Sequence, residues 1–345
     1  MSSITANYIH GKKGWSFDTP QGLKRLQGHD VKLINYSALR ETTIIATILS
    51  DQARLDYLND VYLIYVFEPG PNSRRGLMFF NRDGEIYNNS TMALASCDLQ
   101  QRLETDPVMT IGHGFFAGDR FTGGNMAHVG LDHCRRAAVA IANDICKTDE
   151  LYFYDTSWPW AKSLIRHLFG EVNYLKNGEI YHFSKLWMFS NISALHIGIP
   201  SVQHCHYYAQ LLLDLRHKIA ANDSPSRKLY INRRSAKSRS IINEQDIIDH
   251  LSNAGFESID LAEYSFLEQI SIFNAATEII APHGAGLTNL FACQAGTRVT
   301  EFYVGNRGVT TYEKLSQVFD LSYQRHDFEL HNGILDLERF KETLR

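Results

Sequence analysis

Several things are scarce in this chain, and each scarcity removes a class of protein. Among its 345 residues no apolar run approaches the roughly 18 needed to cross a bilayer, so a membrane-spanning protein is not expected. The opening stretch, MSSITANYIHGKKGW, lacks the apolar core of a secretory leader. The five cysteines, Cys97, Cys134, Cys146, Cys205 and Cys293, are odd in number, widely spaced and without a C-x-x-C pair. That pattern speaks against a disulfide framework and for buried thiols in a reducing compartment, so a cytoplasmic location is expected. An excess of one charge is lacking too. The formal net charge of −4 is too small to draw the whole chain to nucleic acid or to an anionic membrane.

What is present is ordinary globular material. Hydrophobic residues make up 44% and charged residues 21%, enough for two sizeable cores. At roughly 100–200 residues per domain, two domains are expected. The runs 43–49 (TIIATIL) and 61–67 (VYLIYVF) read as buried strands, being rich in β-branched and aromatic residues. Residues 68–76 read as a loop, and Arg82-Asp83-Gly84 as a turn between short strands. Five glycines between Gly112 and Gly124 suggest a long loop carrying Asp119 and Arg120. Residues 126–147 have the spacing of a helix with one buried face, 151–154 of a strand and 160–169 of a short helix. A seam is expected over 196–227, with a connecting helix at 205–221. This divides the chain into an N-terminal domain, 1–204, and a C-terminal domain, 205–345. The last segment, 334–345, reads as an amphipathic helix that packs within its own domain or back on the N-terminal one.

Beyond the seam strands and helices alternate. Strands are expected at 228–232, 257–261, 277–281 and 298–303, and helices at 244–254, 265–275 and 287–293. Such alternation implies parallel βαβ units. Two chemical features sit at the carboxyl ends of these strands, where open α/β sheets bind ligands. The first is the turn His283-Gly284-Ala285-Gly286, whose glycines let backbone approach a phosphate and whose following helix start offers free N–H groups. His283 can add a hydrogen bond or a charge, and Glu301, near the end of the next strand, can accept ribose hydroxyls. The second is the basic loop with Arg233, Arg234, Lys237 and Arg239, whose guanidinium forks match phosphate oxygens. Taken singly, each feature also fits a bland role, a tight βα turn or a solvated loop; together they point to one pyrophosphate. Asn243-Glu244 reads as the cap and first turn of a helix.

The order and spacing of these pieces resemble the family 61 glycosyltransferases. The resemblance rests on Tyr230-Ile231-Asn232-Arg233-Arg234, Arg239, Asn243-Glu244, Phe266-x-x-Gln269, Ala275, and His283-Gly284-Ala285-Gly286-Leu287-Thr288-Asn289 with Glu301. Upstream, Asn125-Met126-Ala127-His128 followed by Asp132 is similar to the family's Asn-x-x-His motif and its following acidic residue. Val129 stands where the family has an aromatic residue, and Cys134-Arg135-Arg136 where it has a Leu-Pro-Arg run. The resemblance implies a GT-B fold of two Rossmann-like domains facing across a cleft. It implies inverting transfer from a nucleotide-sugar, a UDP-sugar, to a glycan or lipid-linked glycan acceptor such as a bacterial surface polysaccharide. Contact with a membrane would then be peripheral, through the acceptor. Arg233, Arg239, His283, Gly284, Ala285, Gly286, Asn289 and Glu301 would line the donor site.

Inversion needs a base for the acceptor hydroxyl and positive charge at the leaving diphosphate. The base candidates are His128, Asp132 and the neighbouring His133. His128 and Asp132 stand at i, i+4 and would share a helix face, either as base and orienting partner or as a pair that holds the loop. No metal is expected. The chain has no D-x-D, by which GT-A transferases hold a divalent ion, and on a helix His204 and His206 would diverge. Trp158, Trp160 and Trp187 are expected to pack in the core. A non-catalytic sugar-nucleotide-binding or scaffolding protein is the alternative reading, and an NAD-type oxidoreductase a third; the latter lacks the third glycine of G-x-G-x-x-G, where Asn289 stands.

Overall fold

The computed structural model describes residues 33–34, 41–44, 54–68, 74–87, 96–118, 126–142, 144–156, 158–189, 202–219, 225–236, 240–304 and 310–344. These fall into two compact units. The first draws on Met1–Gly124, Asp132–Ser157 and Phe169–Ile192, the second on Asn125–Leu131, Trp158–Leu168 and Ser193–Arg345.

The first unit is built on a nine-stranded sheet. Its strands are β1 (Leu33–Ile34), β2 (Glu41–Ile44), β3 (Arg54–Glu68), β4 (Arg74–Phe80), β5 (Ile86–Tyr87), β6 (Val108–Phe116), β7 (Leu151–Tyr154), β8 (Asn173–Leu175) and β9 (Ile180–Phe189). The order is β1-β5-β4-β3-β9-β6-β7-β8, with β2 also on β3. Among the described residues its strands run parallel along β9-β6-β7-β8 and between β1 and β5. The long strand β3 runs antiparallel to β2, β4 and β9, so the sheet is mixed. Helix α1 (Ser96–Thr105) closes one face, with Leu99 and Leu103 against Ile64, Met78, Phe80 and Ile180. On the other face Val61, Leu63, Phe116, Tyr154 and Phe183 form the core with Leu186 and Met188.

The expected glycine-rich loop at Gly112–Gly124 is corrected at its start, because β6 runs through Phe116. Gly114 has a packing cause. A Cβ on Gly114 would lie 2.6 Å from the Phe183 ring and 2.9 Å from the Tyr152 ring. Aromatic neighbours thus require a bare backbone in a strand. Asp119 and Arg120 lie outside the described residues. The helix expected over 126–147 ends at Ala142, in three parts: an α-turn Met126–His128, a π-turn Val129–His133 and helix α2 (Cys134–Ala142).

The second unit holds a five-stranded parallel sheet of β10 (Arg227–Ile231), β11 (Phe256–Ile259), β12 (Ala276–Pro282), β13 (Arg298–Val304) and β14 (Ser322–Phe328), in the order β11-β10-β12-β13-β14. The first four match the expected strands to within a residue or two. In β10, β12 and β13 most of the apolar residues are buried, as in parallel strands covered by helices, while β11 at the edge exposes Glu257. Helices α3 (Pro159–Phe169), α4 (Val202–Ile219), α5 (Glu244–Asn253), α6 (Phe266–Asn274) and α7 (Thr311–Val318) follow in chain order. Ser265 caps α6 in a reciprocal box with Glu268, which is why that helix starts where the sequence suggests. The C-terminal segment begins as a hairpin, β15 (Leu330–His331) with β16 (Ile334–Leu335), turned by Asn332 and Gly333 at φ 52° and 83°. Only then comes helix α8 (Leu337–Thr343), capped by Asp336. Its Phe340 is fully buried among Tyr230, Phe302 and Phe328, so the apolar face left open between two partners is committed to the C-terminal sheet.

Candidate functional site

Strand order in the second sheet reverses at β10. The chain leaves β10 towards β11 on one side, while β12 and β13 lie on the other. Loops from β10 and β12 therefore diverge, and the crevice at their carboxyl ends is where such sheets bind ligands. Both chemical features of the sequence lie at this point. The basic loop follows Ile231, and the glycine turn follows Pro282.

The two meet directly. Arg233 Nη1 donates to the carbonyl of His283 at 3.2 Å. A Cβ on Gly284 would lie 2.2 Å from that same nitrogen, so the guanidinium rests on bare glycine backbone. Gly284 has φ −173°, extended backbone open to any residue; what it supplies is room. Gly286 does the same for Leu261, whose Cδ1 would be 2.6 Å from a Cβ there. The helix after the turn is a 3₁₀ helix, Ala285–Ala292, rather than the α-helix expected over 287–293. Behind the arginine, the buried carboxylate of Glu244 accepts the Arg233 N–H and the Tyr230 hydroxyl, both at 2.9 Å. Asn243 is not a side-chain cap; its amide exchanges two hydrogen bonds with the Leu335 backbone. Arg239 and Lys237 lie outside the described residues.

His283 is held from three sides. Its Nδ1 lies 2.5 Å from Glu301 Oε1, its ring stacks on Tyr303 at 4.3 Å, and Tyr312 tilts against it at 5.4 Å. The other Glu301 oxygen accepts the Tyr323 hydroxyl at 2.5 Å. Burial, then the adjacent Glu301 charge, holds the Tyr323 phenol well above its usual range, so it serves as a donor. The sequence placed Glu301 at ribose hydroxyls. Here its side chain is fully buried with both oxygens engaged, which puts it behind His283 and away from solvent. Tyr312 and Tyr323 lie beyond the sequence motif, on elements the alternation did not reveal; Arg325, whose guanidinium lies 3.9 Å over the Tyr303 ring, is a third.

Asn289 also departs from its expected place. It is fully buried, accepting from Trp160 Nε1 at 2.9 Å and donating to Gln269 Oε1 at 2.8 Å. Gln269 in turn donates to the carbonyls of Leu261 and Tyr264. Asn289 thus ties α3 and α6 to the 3₁₀ helix, and the Phe266-x-x-Gln269 motif acquires a structural reason. Of the other tryptophans, Trp158 is exposed.

The α-turn that carries His128 packs against that 3₁₀ helix. A Cβ on Gly130 would lie 2.8 Å from Thr288 Cγ2 and 3.0 Å from the Trp160 ring, and Tyr208 donates its hydroxyl to the Gly130 carbonyl. His128 is half-buried. Asp132 and His133 are buried, and Asp132 Oδ1 lies 3.9 Å from Arg135 Nη2. The straight α-helix expected here is interrupted, because His128 ends the α-turn and Asp132 lies within the π-turn that follows it. Among the described residues no group of three His, Cys, Asp or Glu side chains is placed to hold a metal ion, and no helix is long and apolar enough to cross a membrane.

The sequence profile described as Glycosyltransferase 61 matches residues 99–300, more than half of the chain. The chain belongs to the glycosyltransferase 61 family. No single curated protein matches it. As a glycosyltransferase it uses a sugar donor and a glycan acceptor in general terms. The matched span of this glycosyltransferase holds Arg233, the glycine turn and the His128 segment, and stops one residue short of Glu301.

Proposed function

We propose that the protein is an inverting glycosyltransferase of GT-B type that takes its sugar from a UDP-sugar. The observation that carries this reading is the Arg233 guanidinium lying on Gly284 beside His283, at the carboxyl ends of β10 and β12. A diphosphate fits this chemistry well. A guanidinium fork, an imidazole and the first N–H groups of a short helix all converge on it. As the glycosidic bond to the donor breaks, negative charge grows on the leaving nucleotide diphosphate. Donors preset around that charge stabilise the transition state more than the ground state.

His128 is the base in this proposal. It is only half-buried and its turn packs on the helix that starts at the phosphate-binding turn. It takes the acceptor hydroxyl proton while the hydroxyl oxygen attacks the anomeric carbon, opposite to the departing diphosphate. Asp132, being fully buried, is a partner of the segment rather than a group that meets the acceptor. The acceptor is a glycan, here assigned to bacterial surface polysaccharide synthesis. Among the described residues the buried thiols Cys146 and Cys293 are in no disulfide, which fits a cytoplasmic setting. The test is release of UDP from UDP-sugars with a glycan acceptor. Arg233→Ala and His283→Ala should each lower the rate by about a hundredfold. Turnover near wild type in both variants would refute the reading. UDP binding with His128→Ala and Asp132→Ala both silent would instead favour a protein that binds sugar nucleotides without transfer.

A further inference from the structure

Glu301 and Tyr323 form a buried chain that ends on His283, and nothing in the donor-binding role explains its depth. The carboxylate has no exposed surface. One oxygen faces the imidazole Nδ1 at 2.5 Å and the other takes the Tyr323 hydroxyl at 2.5 Å. The tyrosine comes from β14, two strands away from β12, so three parallel strands cooperate to fix one ring. Tyr303 and Tyr312 hold the ring plane, and Arg325 lies over Tyr303. A histidine that only filled space would need neither a buried carboxylate nor a donor to orient that carboxylate.

We propose that Glu301 and Tyr323 are positioning residues that commit Nδ1 of His283 to the protein and leave Nε2 to meet the diphosphate. This rests on the reading that the diphosphate binds at the glycine turn. An Nδ1–H donated to Glu301 selects the ring tautomer. The imidazolium form, a donor at both nitrogens, then spans from the buried carboxylate to a phosphate oxygen. Glu301 supplies the opposite charge behind the ring, and Tyr323 keeps the carboxylate from turning away. A ligand that brings its own negative charge to Nε2 completes the line. Glu301 therefore acts on the donor through His283 alone.

The test is a double-mutant cycle on UDP binding by the full chain, joined to a ring spectrum that needs no ligand. Glu301→Gln should weaken UDP binding about tenfold, and Tyr323→Phe about threefold, when His283 is present. In the His283→Ala background both effects should shrink to less than about twofold, since the intermediary is gone. Equal losses in the two backgrounds would overturn the proposal, showing that Glu301 meets the ligand itself or supports the fold. If Glu301→Gln does not fold, the Tyr323→Phe cycle decides by the same criterion. Nitrogen-15 spectra of the ligand-free imidazole should show the proton on Nδ1; a ring protonated mainly at Nε2 would also overturn it. UDP failing to bind the wild type would remove the proposed function, while the ring spectrum would still decide the positioning.

Discussion

Gly284→Ala separates what the glycine turn does for binding from what it does for folding. The backbone there is extended, so alanine adds no conformational strain. The new methyl group would lie 2.2 Å from Arg233 Nη1 and 3.5 Å from its Cζ. The guanidinium must then retreat by more than about 1 Å to reach ordinary contact distance, and its bond to the His283 carbonyl breaks. The displaced atom ends a flexible side chain on a half-buried residue. The fold should thus lose little, with a change in Tm of less than about 3 °C. Nucleotide binding should lose the charge-assisted contact, about 1.5–3 kcal/mol, or about 10- to 150-fold in Kd. Calorimetric titration with UDP and a thermal melt of the apo protein read the two effects separately. An alanine variant that binds UDP like the wild type would refute the placement of the arginine over the turn as the diphosphate cradle.

Three further perturbations probe the surroundings. Asn289→Leu strands the Trp160 N–H and the Gln269 side-chain oxygen in a buried site; it should cost about 2–4 kcal/mol, and a denaturant melt with an unchanged midpoint would contradict that. Gly130→Ala pushes a methyl into Thr288 and Trp160, costing about 1–3 kcal/mol of overpacking and moving the His128 turn; kcat should fall with donor KM unchanged, and an unaltered kcat would argue against His128 as base. Burial, with smaller contributions from Glu150 and Asp149, pushes the Cys146 thiol up to about 12. The neutral thiol is the form the fold favours, so raising the pH to 9 leaves only about 0.1% thiolate; mass spectrometry should find native Cys146 unalkylated by iodoacetamide there and modified only after unfolding.

The C-terminal unit was far more legible than the N-terminal one, for physical reasons. A parallel sheet covered on both faces is written as short apolar runs separated by helices, and β10, β12 and β13 carry that pattern. Strand β14 escaped notice because SYQRHDF lies at the sheet edge and alternates little apolar material, and Tyr323 and Arg325 went with it. In the mixed sheet, Gly114 of β6 reads as a loop residue; it is small because Phe183 and Tyr152 press on the strand. Arg233, His283 and Gly284 meet at one crevice, whereas Asn289 and Glu301 are buried, hydrogen-bonded to Trp160 and Tyr323, which lie outside the motif. Sequence proximity to the glycine turn does not tell a buried side chain from a half-buried one.

The most direct measurement is a crystal structure of the protein with UDP. Diphosphate oxygens should lie within about 3 Å of the Arg233 guanidinium, His283 Nε2 and the backbone nitrogens at the start of the 3₁₀ helix. A nucleotide bound elsewhere, with Arg233 still resting on Gly284 and no phosphate beside it, would contradict the site.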